Sequence, residues 1–270
     1  MKTRCSMDNS INKLALAITT IIFAGLANAD VTPQGTGATS DASSVAIGDN
    51  SYSVLESVAV GENAEAVSRS VAVGADATAT DISTAVGKNA SAELYSTAIG
   101  SAARATNSSV AIGAGAGAGL DPMVMSNAVA IGAASQATAL ETVAIGYNAR
   151  ATAWGALAFG KSALASTNDS IAIGQMSEAT GWNAIAMGFD AEASGNYSLA
   201  FGTGARATDP YTVSFGGSGI TRRIVGISAG IADTDAVNVG QMRAITDAMA
   251  ADITNLDQCG FRSTVTGRFG

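Results

Sequence analysis

Histidine is absent from the chain, and cysteine, proline and aromatic residues are scarce. The 270 residues contain no histidine, two cysteines and three prolines, and 5% of the side chains are aromatic. Without histidine, the Ser-His-Asp and Cys-His arrangements of nucleophilic catalysis and the usual zinc sites are excluded. The carboxylates are scattered over predicted turns, and no two of them are placed as an acid–base pair. They include Glu62, Glu65, Asp76, Glu178 and Glu192. We therefore predict a protein that is not an enzyme and holds no cofactor or metal.

The N-terminal residues 1–29 have the composition of a secretory signal peptide. A basic region containing Lys2, Arg4 and Lys13 precedes an apolar stretch, which ends at the small residues Ala27 and Ala29. The apolar stretch, about 14 residues long, is shorter than the ~20 residues that a membrane-spanning helix needs. We expect export, with cleavage after residue 29.

Charged residues are also few, and most of them are acidic. They make up 13% of the chain, and removal of residues 1–29 would leave 11 basic and 21 acidic side chains, a net charge of −10. An acidic surface disfavours nucleic acid and anionic membranes as partners. Cys259 would remain as the single cysteine, either an idle thiol or a link between chains.

What the chain has in abundance is a short repeat that ends in glycine. Thirteen copies occur, with five steps of 13 residues, one of 19 and six of 14. Such a period indicates one small unit stacked along an axis. The repeat glycines are Gly48, Gly61, Gly74, Gly87, Gly100, Gly113, Gly132, Gly146, Gly160, Gly174, Gly188, Gly202 and Gly216.

Each copy alternates large and small side chains, as in Ile171-Ala172-Ile173 before Gly174. Alternation of period two predicts a strand, and the glycine marks a sharp bend or a positive φ. Alanines three and five residues after the glycine predict a second, shorter strand. Thirteen coils pairing in parallel and in register, at about 4.8 Å each, predict a rod roughly 60 Å long. The extra residue of the 14-residue coils is expected in the turn after the second strand.

A single coil is too thin to bury its own large residues, so stability must come from stacking and from other chains. We expect the large residues to require a shared core, and the alanine columns to let neighbouring chains approach closely. The sequence thus predicts an all-β solenoid that is stable as an oligomer.

The segments around the repeats differ in composition. Residues 30–43 are rich in Gly, Thr and Ser and are expected to form a flexible segment. The repeats follow in residues 44–219, which we call the head. One insertion, residues 119–127, contains Met123 and Met125. This insertion either binds a partner or folds back on the rod.

After the repeats, residues 220–240 carry Arg222 and Arg223 and then an acidic and hydroxyl-rich run, which marks the start of a helix. Residues 241–258 are predicted to open a coiled coil, and 259–270 form an irregular tail. Met242, Ile245, Met249 and Leu256 lie at heptad-like positions, with Asp252 in the remaining core position and Ile253 beside it. The alternative is a single helix that caps the rod.

The Ser-Val-Ala-Ile-Gly repeats resemble the head of YadA-like trimeric autotransporter adhesins, and residues 233–242 resemble that family's neck. The resemblance implies a left-handed parallel β-roll in each chain, a homotrimer, and a neck that leads into a coiled-coil stalk. It assigns the neck to Arg222, Arg223, Asp233, Asp235 and Asn238. The implied function is attachment of a bacterium to host extracellular matrix or cells, or self-association. Because residues 259–270 are too short for the family's transmembrane strands, we expect either surface display or secretion.

Two surface features are candidates for partner binding. Trp154 and Trp182 occupy the same turn position two coils apart, about 10 Å by coil spacing. They either contact a partner or fill a groove between subunits. A partial threonine file raises the alternative of an ice- or crystal-binding solenoid: Thr80, Thr106, Thr138, Thr152, Thr180 and Thr208, with Ser166 and Ser194 between them.

Overall fold

A computed structural model describes residues 33–120, 126–217 and 219–258. The chain divides into two units, the first ending at Thr221 and the second beginning at Arg222. The first unit is an all-β parallel solenoid, and the second carries one helix. The signal peptide, Met123, Met125 and the tail predicted at 259–270 lie outside the described residues.

In the described part of the chain, 26 short strands form two parallel sheets of 13 strands each. Sheet I consists of β2 (Val45–Ile47), β4 (Val58–Val60), β6 (Val71–Val73), β8 (Thr84–Val86), β10 (Thr97–Ile99), β12 (Val110–Ile112), β14 (Val129–Ile131), β16 (Val143–Ile145), β18 (Leu157–Phe159), β20 (Ile171–Ile173), β22 (Ile185–Met187), β24 (Leu199–Phe201) and β26 (Val213–Ser214). Sheet II consists of β1 (Thr39–Ser40), β3 (Tyr52–Val54), β5 (Glu65–Val67), β7 (Thr78–Ala79), β9 (Ser91–Ala92), β11 (Arg104–Ala105), β13 (Gly117–Ala118), β15 (Gln136–Ala137), β17 (Arg150–Ala151), β19 (Leu164–Ala165), β21 (Glu178–Ala179), β23 (Glu192–Ala193) and β25 (Arg206–Ala207).

Every strand pairs with the equivalent strands of the neighbouring coils, in parallel and in register. Ala98 of β10 faces Ala85 of β8 on one side and Ala111 of β12 on the other. The register persists across the 19-residue step, where Ala111 faces Ala130. The parallel solenoid predicted from the repeat is confirmed, and the insertion leaves both sheets continuous.

The core between the two sheets is built from alanine. Ala98 of sheet I has no exposed surface, nor have Ala103 and Ala105 on the opposite side of the coil. The large neighbour Ile99 points outward and is 40% exposed. The expectation that the alanine columns let neighbouring chains approach closely is therefore wrong, because these alanines fill the inside of one chain. A loop of 13 or 14 residues containing two strands and two tight turns leaves room between its sheets for small side chains only.

The repeat glycines lie in turn 1, which connects each sheet I strand to the next sheet II strand. Twelve of the thirteen have a positive φ, as predicted, between 106° and 141°. A Cβ on Gly87 would lie 2.5 Å from the carbonyl oxygen of Gly100 in the next coil. Gly216 is the exception: its φ is not among the positive values, and a Cβ there would collide with the carbonyl oxygen of Ile220.

The solenoid begins before the first predicted repeat. Gly35 continues the glycine column with a φ of 130°, Gln34 forms a bridge with Ile47, and β1 pairs with β3. Residues 33–43 therefore form a coil, and the prediction of a flexible lead-in is wrong for them. The repeat was obscured because polar Gln34 replaces the large apolar residue that precedes the other glycines.

Turn 2, which leads from sheet II back to sheet I, differs between the two coil lengths. In a 13-residue coil two successive residues are left-handed, for example Asp81 and Ile82 with φ of 55° and 61°. In a 14-residue coil a single residue takes this conformation, for example Asn183 with φ of 53°. The extra residue thus lies in the turn where the sequence predicted it.

A serine ladder follows turn 2 through the 13-residue coils. The N–H of Ser83 donates to Oγ of Ser70 at 3.1 Å, and the N–H of Ser96 donates to Oγ of Ser83 at 3.1 Å. In the 14-residue coils the corresponding N–H bonds within its own turn, as from Ala184 to the Gly181 carbonyl at 3.1 Å. The longer turn satisfies its own backbone, so this position no longer requires serine.

The second unit contains helix α1 (Val239–Gln258), two residues longer at its start than the predicted coiled coil. Asn238 is its N-cap: Oδ1 accepts the N–H of Gln241 at 3.0 Å, while Gln241 Oε1 accepts the N–H of Asn238 at 3.2 Å. This reciprocal pair is a capping box. Among the described residues, no helix is long and apolar enough to cross a membrane.

Candidate functional site

The outer side of sheet I, here called the apolar face, consists of two files of uncharged and mostly large side chains. Seven of them are 36–41% exposed: Ile47, Ile99, Ile112, Ile131, Ile173, Met187 and Phe215. The rings of Phe201 and Phe215 stack along it with centroids 6.0 Å apart. Thirteen strands at about 4.8 Å spacing extend this face over roughly 60 Å. Contiguous apolar surface on this scale marks an interaction site.

The outer side of sheet II is polar and charged. Arg206 forms ion pairs with Glu192 and, at 3.6 Å, with Asp190. The threonine file proposed from the sequence lies on this side, but Glu93 and Gly119 interrupt it and a charged file runs beside it. This arrangement offers no flat array of threonines. The outer sides of the two sheets thus differ, since that of sheet I is mostly apolar and that of sheet II is mostly polar and charged.

Turn 2 of the 14-residue coils carries the two tryptophans singled out in the sequence. Trp154 and Trp182 lie in equivalent turns two coils apart, 48% and 50% exposed. With the side chains around them they form a surface that we call the aromatic edge: Trp154, Asn168, Asp169, Trp182, Asn183, Asn196, Tyr197 and Tyr211.

Sequence reasoning missed two members of the aromatic edge. The rings of Trp182 and Tyr197 lie 6.4 Å apart at 51°, and those of Tyr197 and Tyr211 stack at 5.1 Å and 5°. The signal was present, since the two tyrosines are 14 residues apart and each lies one position after the tryptophan position of its coil. One exposed tyrosine in a coil does not indicate a site by itself, and the ring contacts between coils become visible only in the folded solenoid.

Asparagines alternate with the tryptophans along this edge. Asn168 takes the tryptophan position in the coil between Trp154 and Trp182, and Asn196 takes it in the coil after Trp182. The Oδ1 of Asn196 accepts the N–H of Trp182 at 3.0 Å, and the Trp182 carbonyl accepts the N–H of Tyr197 at 2.7 Å. The backbone that carries the rings is thus tied from coil to coil.

The insertion replaces turn 2 after β13, so it emerges from the same edge. Its first residue, Gly119, accepts a hydrogen bond from Thr106 Oγ1, and on its far side the N–H of Ser126 donates to the Asn107 carbonyl at 3.1 Å. Because Met123 and Met125 lie outside the described residues, their partner-binding role stays a prediction.

The neck residues predicted from the resemblance fall into two groups. Arg222, Arg223 and Asp233 are exposed. Asp235 Oδ2 accepts the N–H groups of Ile231 and Ala232 at 2.9 and 3.0 Å. Hydrogen bonds from the Ala232 and then the Ile231 backbone lower the pKa of Asp235. Asn238 caps the helix and donates from Nδ2 to the Ile227 carbonyl at 3.1 Å. The last two side chains therefore shape the turn before α1.

Apolar side chains of the second unit are exposed, among them Val225 at 72% and Ile231 at 97%. On α1 the apolar residues follow spacings of 3, 4, 4 and 3 residues: Met242, Ile245, Met249, Ile253 and Leu256. On a regular helix this places Ile253 nearer the centre of the stripe than Asp252. On a single regular helix Ile253 thus makes the stripe continuous and apolar, and the core position predicted for Asp252 in a coiled coil stays a prediction.

Two family models match this chain. A model described as the YadA head domain repeat (2 copies) matches residues 125–149, 151–177, 179–205 and 193–218, and one described as the coiled stalk of trimeric autotransporter adhesin matches 223–264. Over these residues the chain is YadA-like, with the head repeats and the coiled stalk of trimeric autotransporter adhesins. In this YadA-like chain the matched head repeats are the 14-residue coils, and the 13-residue coils before residue 113 continue the same two sheets.

Among solved structures, the collagen-binding domain of the Yersinia adhesin YadA is 28% identical, with 71% of this chain and 83% of that chain covered and a TM-score of 0.33. Among curated proteins, none matches this chain.

Proposed function

We propose that this chain forms the non-enzymatic head and first part of the stalk of an adhesin that attaches a bacterium to host extracellular matrix or cells, or to other copies of itself. The head is proposed to be a left-handed β-roll assembled as a homotrimer. The observation that carries the proposal is the apolar face, which a single chain leaves uncovered over all thirteen strands of sheet I.

Assembly into a homotrimer would bury the apolar face of each chain against the other two chains. Three copies of sheet I facing a common axis would bury two files of large side chains per chain, while the charged sides of sheet II stay in water. At about 25 cal/mol per Å² of buried apolar area, such an interface is strongly favourable. The second unit gives independent support, because a single 20-residue helix with an exposed apolar stripe is of limited stability alone and is stabilised in a bundle.

In such a trimer the surfaces left for a host ligand are the outer side of sheet II and the turns. We infer residues 1–29 as a secretory signal, residues up to 219 as the head, 220–240 as the neck and the following helix as the stalk. The resemblance to this family supports a location at the bacterial surface, and we propose that the chain is either held at the outer membrane or released.

Binding to immobilised matrix proteins and to cultured cells tests this function. The exported chain should bind at least one member of a panel of collagens, fibronectin, laminin and epithelial cells, or should aggregate cells that display it. Ile99→Asp, which places a carboxylate on the apolar face, should abolish binding by dispersing the trimer, whereas Arg150→Gln on the solvent side of sheet II leaves the trimer intact. A trimer that binds neither the panel nor itself would refute the proposal.

A further inference from the structure

We propose that the aromatic edge is a binding site for a neutral glycan, with one sugar ring held between Trp154 and Trp182 over Asn168. This inference deepens the adhesin function proposed above and rests on it, since it names a class of host or bacterial ligand for the head. The neck residues and the repeat glycines described above lie outside this edge.

The spacing of the two tryptophans fits one intervening ring. Two coils at about 4.8 Å each separate their backbones by about 10 Å, and each van der Waals contact between stacked rings takes about 3.5–4.0 Å. The intervening coil carries the half-buried amide of Asn168 rather than a third aromatic ring. A ligand ring is proposed to take the place of the missing third aromatic ring.

The groups around this position are those that recognise a sugar. Aromatic faces contact the apolar C–H faces of a pyranose, and the amides of Asn168 and Asn183 can both donate to and accept from its hydroxyls. The exposed carboxylate of Asp169 adds an acceptor at the same edge. A Cβ at Gly155 would collide with the Asp169 carboxylate, so the glycine next to Trp154 lets this carboxylate pack against the preceding coil.

Charge selects a neutral ligand over an anionic one. The residues of turn 2 in the 14-residue coils include no Lys or Arg and three carboxylates, Glu141, Asp169 and Asp209. Sulfated or sialylated glycans and nucleic acids would meet repulsion there. An aromatic and amide-rich edge without cations fits a chain of neutral sugars.

The aromatic edge lies in turn 2, beside the apolar face of sheet I rather than on it. Covering the apolar face in a trimer therefore does not by itself cover this edge. Behind Trp182, Tyr197 and Tyr211 continue the contact from ring to ring and hold the indole in place.

Tryptophan fluorescence tests the proposal directly, because the chain's two tryptophans both lie at this edge. The intact exported chain is titrated with neutral hexasaccharides of glucose, N-acetylglucosamine, mannose and galactose, and with heparin as the anionic probe. At least one neutral hexasaccharide should shift the emission saturably, and heparin should not. The proposal is overturned when no neutral hexasaccharide shifts the emission or when heparin binds more tightly than all of them.

Substitutions locate the site. Trp182→Ala and Asn168→Ala should each weaken sugar binding by about tenfold or more, with the Trp154 signal reporting in the first. Tyr147→Ala removes an aromatic side chain from turn 1 that is 59% exposed, against 50% for Trp182, and should leave the affinity unchanged. Unchanged affinity in Trp182→Ala, or a trimer that dissociates on that substitution, would refute the site. In the wild-type protein, binding to matrix proteins without binding to any sugar overturns this inference alone, whereas an intact wild-type trimer that binds neither overturns the proposed function.

Discussion

Contact between neighbouring coils explains why glycine recurs at the end of each sheet I strand. At Gly87 the φ of 133° lies outside the range open to other residues, and a Cβ would press on the carbonyl of Gly100. Gly115, also in turn 1, has a φ of 66°, and no atom lies within 4 Å of the position that a Cβ would take there. Substitution of Gly87 by alanine would therefore cost free energy through both backbone strain and a steric collision, whereas substitution of Gly115 would cost it through backbone strain alone.

Gly87→Ala is therefore expected to destabilise the solenoid by about 3 kcal/mol or more, because both strain and a backbone collision must be relieved. Gly115→Ala should cost about 1 kcal/mol. Thermal unfolding followed by circular dichroism compares the two midpoints. Equal midpoints for both variants would contradict the role assigned to the glycine column.

Asp41 ties the first two coils together through its carboxylate. A hydrogen bond from the Ser44 hydroxyl, followed by the Leu55 N–H at 2.6 Å, lowers the pKa of Asp41 to about 2 from the usual 3.8. A carboxylate whose pKa is lower in the folded state stabilises it above the unfolded pKa and loses that contribution as the pH falls toward 2. The first coils should thus loosen between pH 4 and pH 2.

Hydrogen exchange of the Leu55 amide measures this effect. Protection should fall as the pH drops from 4 to 2 once the intrinsic pH dependence of exchange is subtracted. Asp41→Asn should show weaker protection at pH 5 and little further change below it. A wild-type protection factor that stays constant over this range would rule out the contribution of Asp41.

At the scale of the structural elements, the conformation of turn 2 determines which residue type can occupy the position just before the next sheet I strand. The turn with two left-handed residues leaves an N–H that the serine of the previous coil accepts, as Ser83 Oγ accepts the N–H of Ser96. The longer turn closes its own hydrogen bond, and Ala156 and Ala184 occupy the corresponding position there. The conformation of turn 2 thus determines both the length of the coil and whether a serine is needed after the turn.

Ser83→Ala should cost about 1–3 kcal/mol, because it leaves the buried N–H of Ser96 without a partner. Ser170→Ala, in a 14-residue coil, should cost clearly less, since alanine already occurs at this position in neighbouring coils. Chemical unfolding of both variants provides the comparison. A Ser170→Ala variant as unstable as Ser83→Ala would show that the ladder has no special role.

The elements of this fold were predictable from the sequence, but their orientation was not. Period-two alternation identifies strands and, through constant spacing, their register, which is why Ala98 was correctly aligned with Ala85 and Ala111. Alternation alone does not say which face points inward. The large residues were expected to need a core shared between chains, and the outward-pointing Ile99 agrees with that expectation. The alanines were expected to lie between chains, yet the narrow coil buries small residues such as Ala98 inside one chain.

The candidate site was predictable only in part, for a similar reason. The tryptophans stood out because that residue type is rare in this chain, and their shared turn position follows from counting 14 residues per coil. Tyr197 and Tyr211 became significant only when stacking placed their rings 5.1 Å apart. Distances between side chains in adjacent coils depend on rotamers that spacing does not specify.

At the scale of the whole molecule, each unit by itself leaves apolar surface that water would disfavour. The first unit exposes the apolar face of sheet I, and the second exposes the stripe on α1 together with Ile231. A stable monomer rarely shows contiguous apolar patches larger than about 300–600 Å². Association of the chain with copies of itself resolves both exposures at once, because the same symmetry can cover the face and the stripe.

The mass of the purified, exported chain in solution tests this account most directly. Light scattering coupled to size exclusion should give three times the mass of one chain, and Ile99→Asp should shift the population toward monomers while Arg150→Gln should not. A well-folded monomer in the wild-type protein, with sheet I exposed to solvent, would contradict the account.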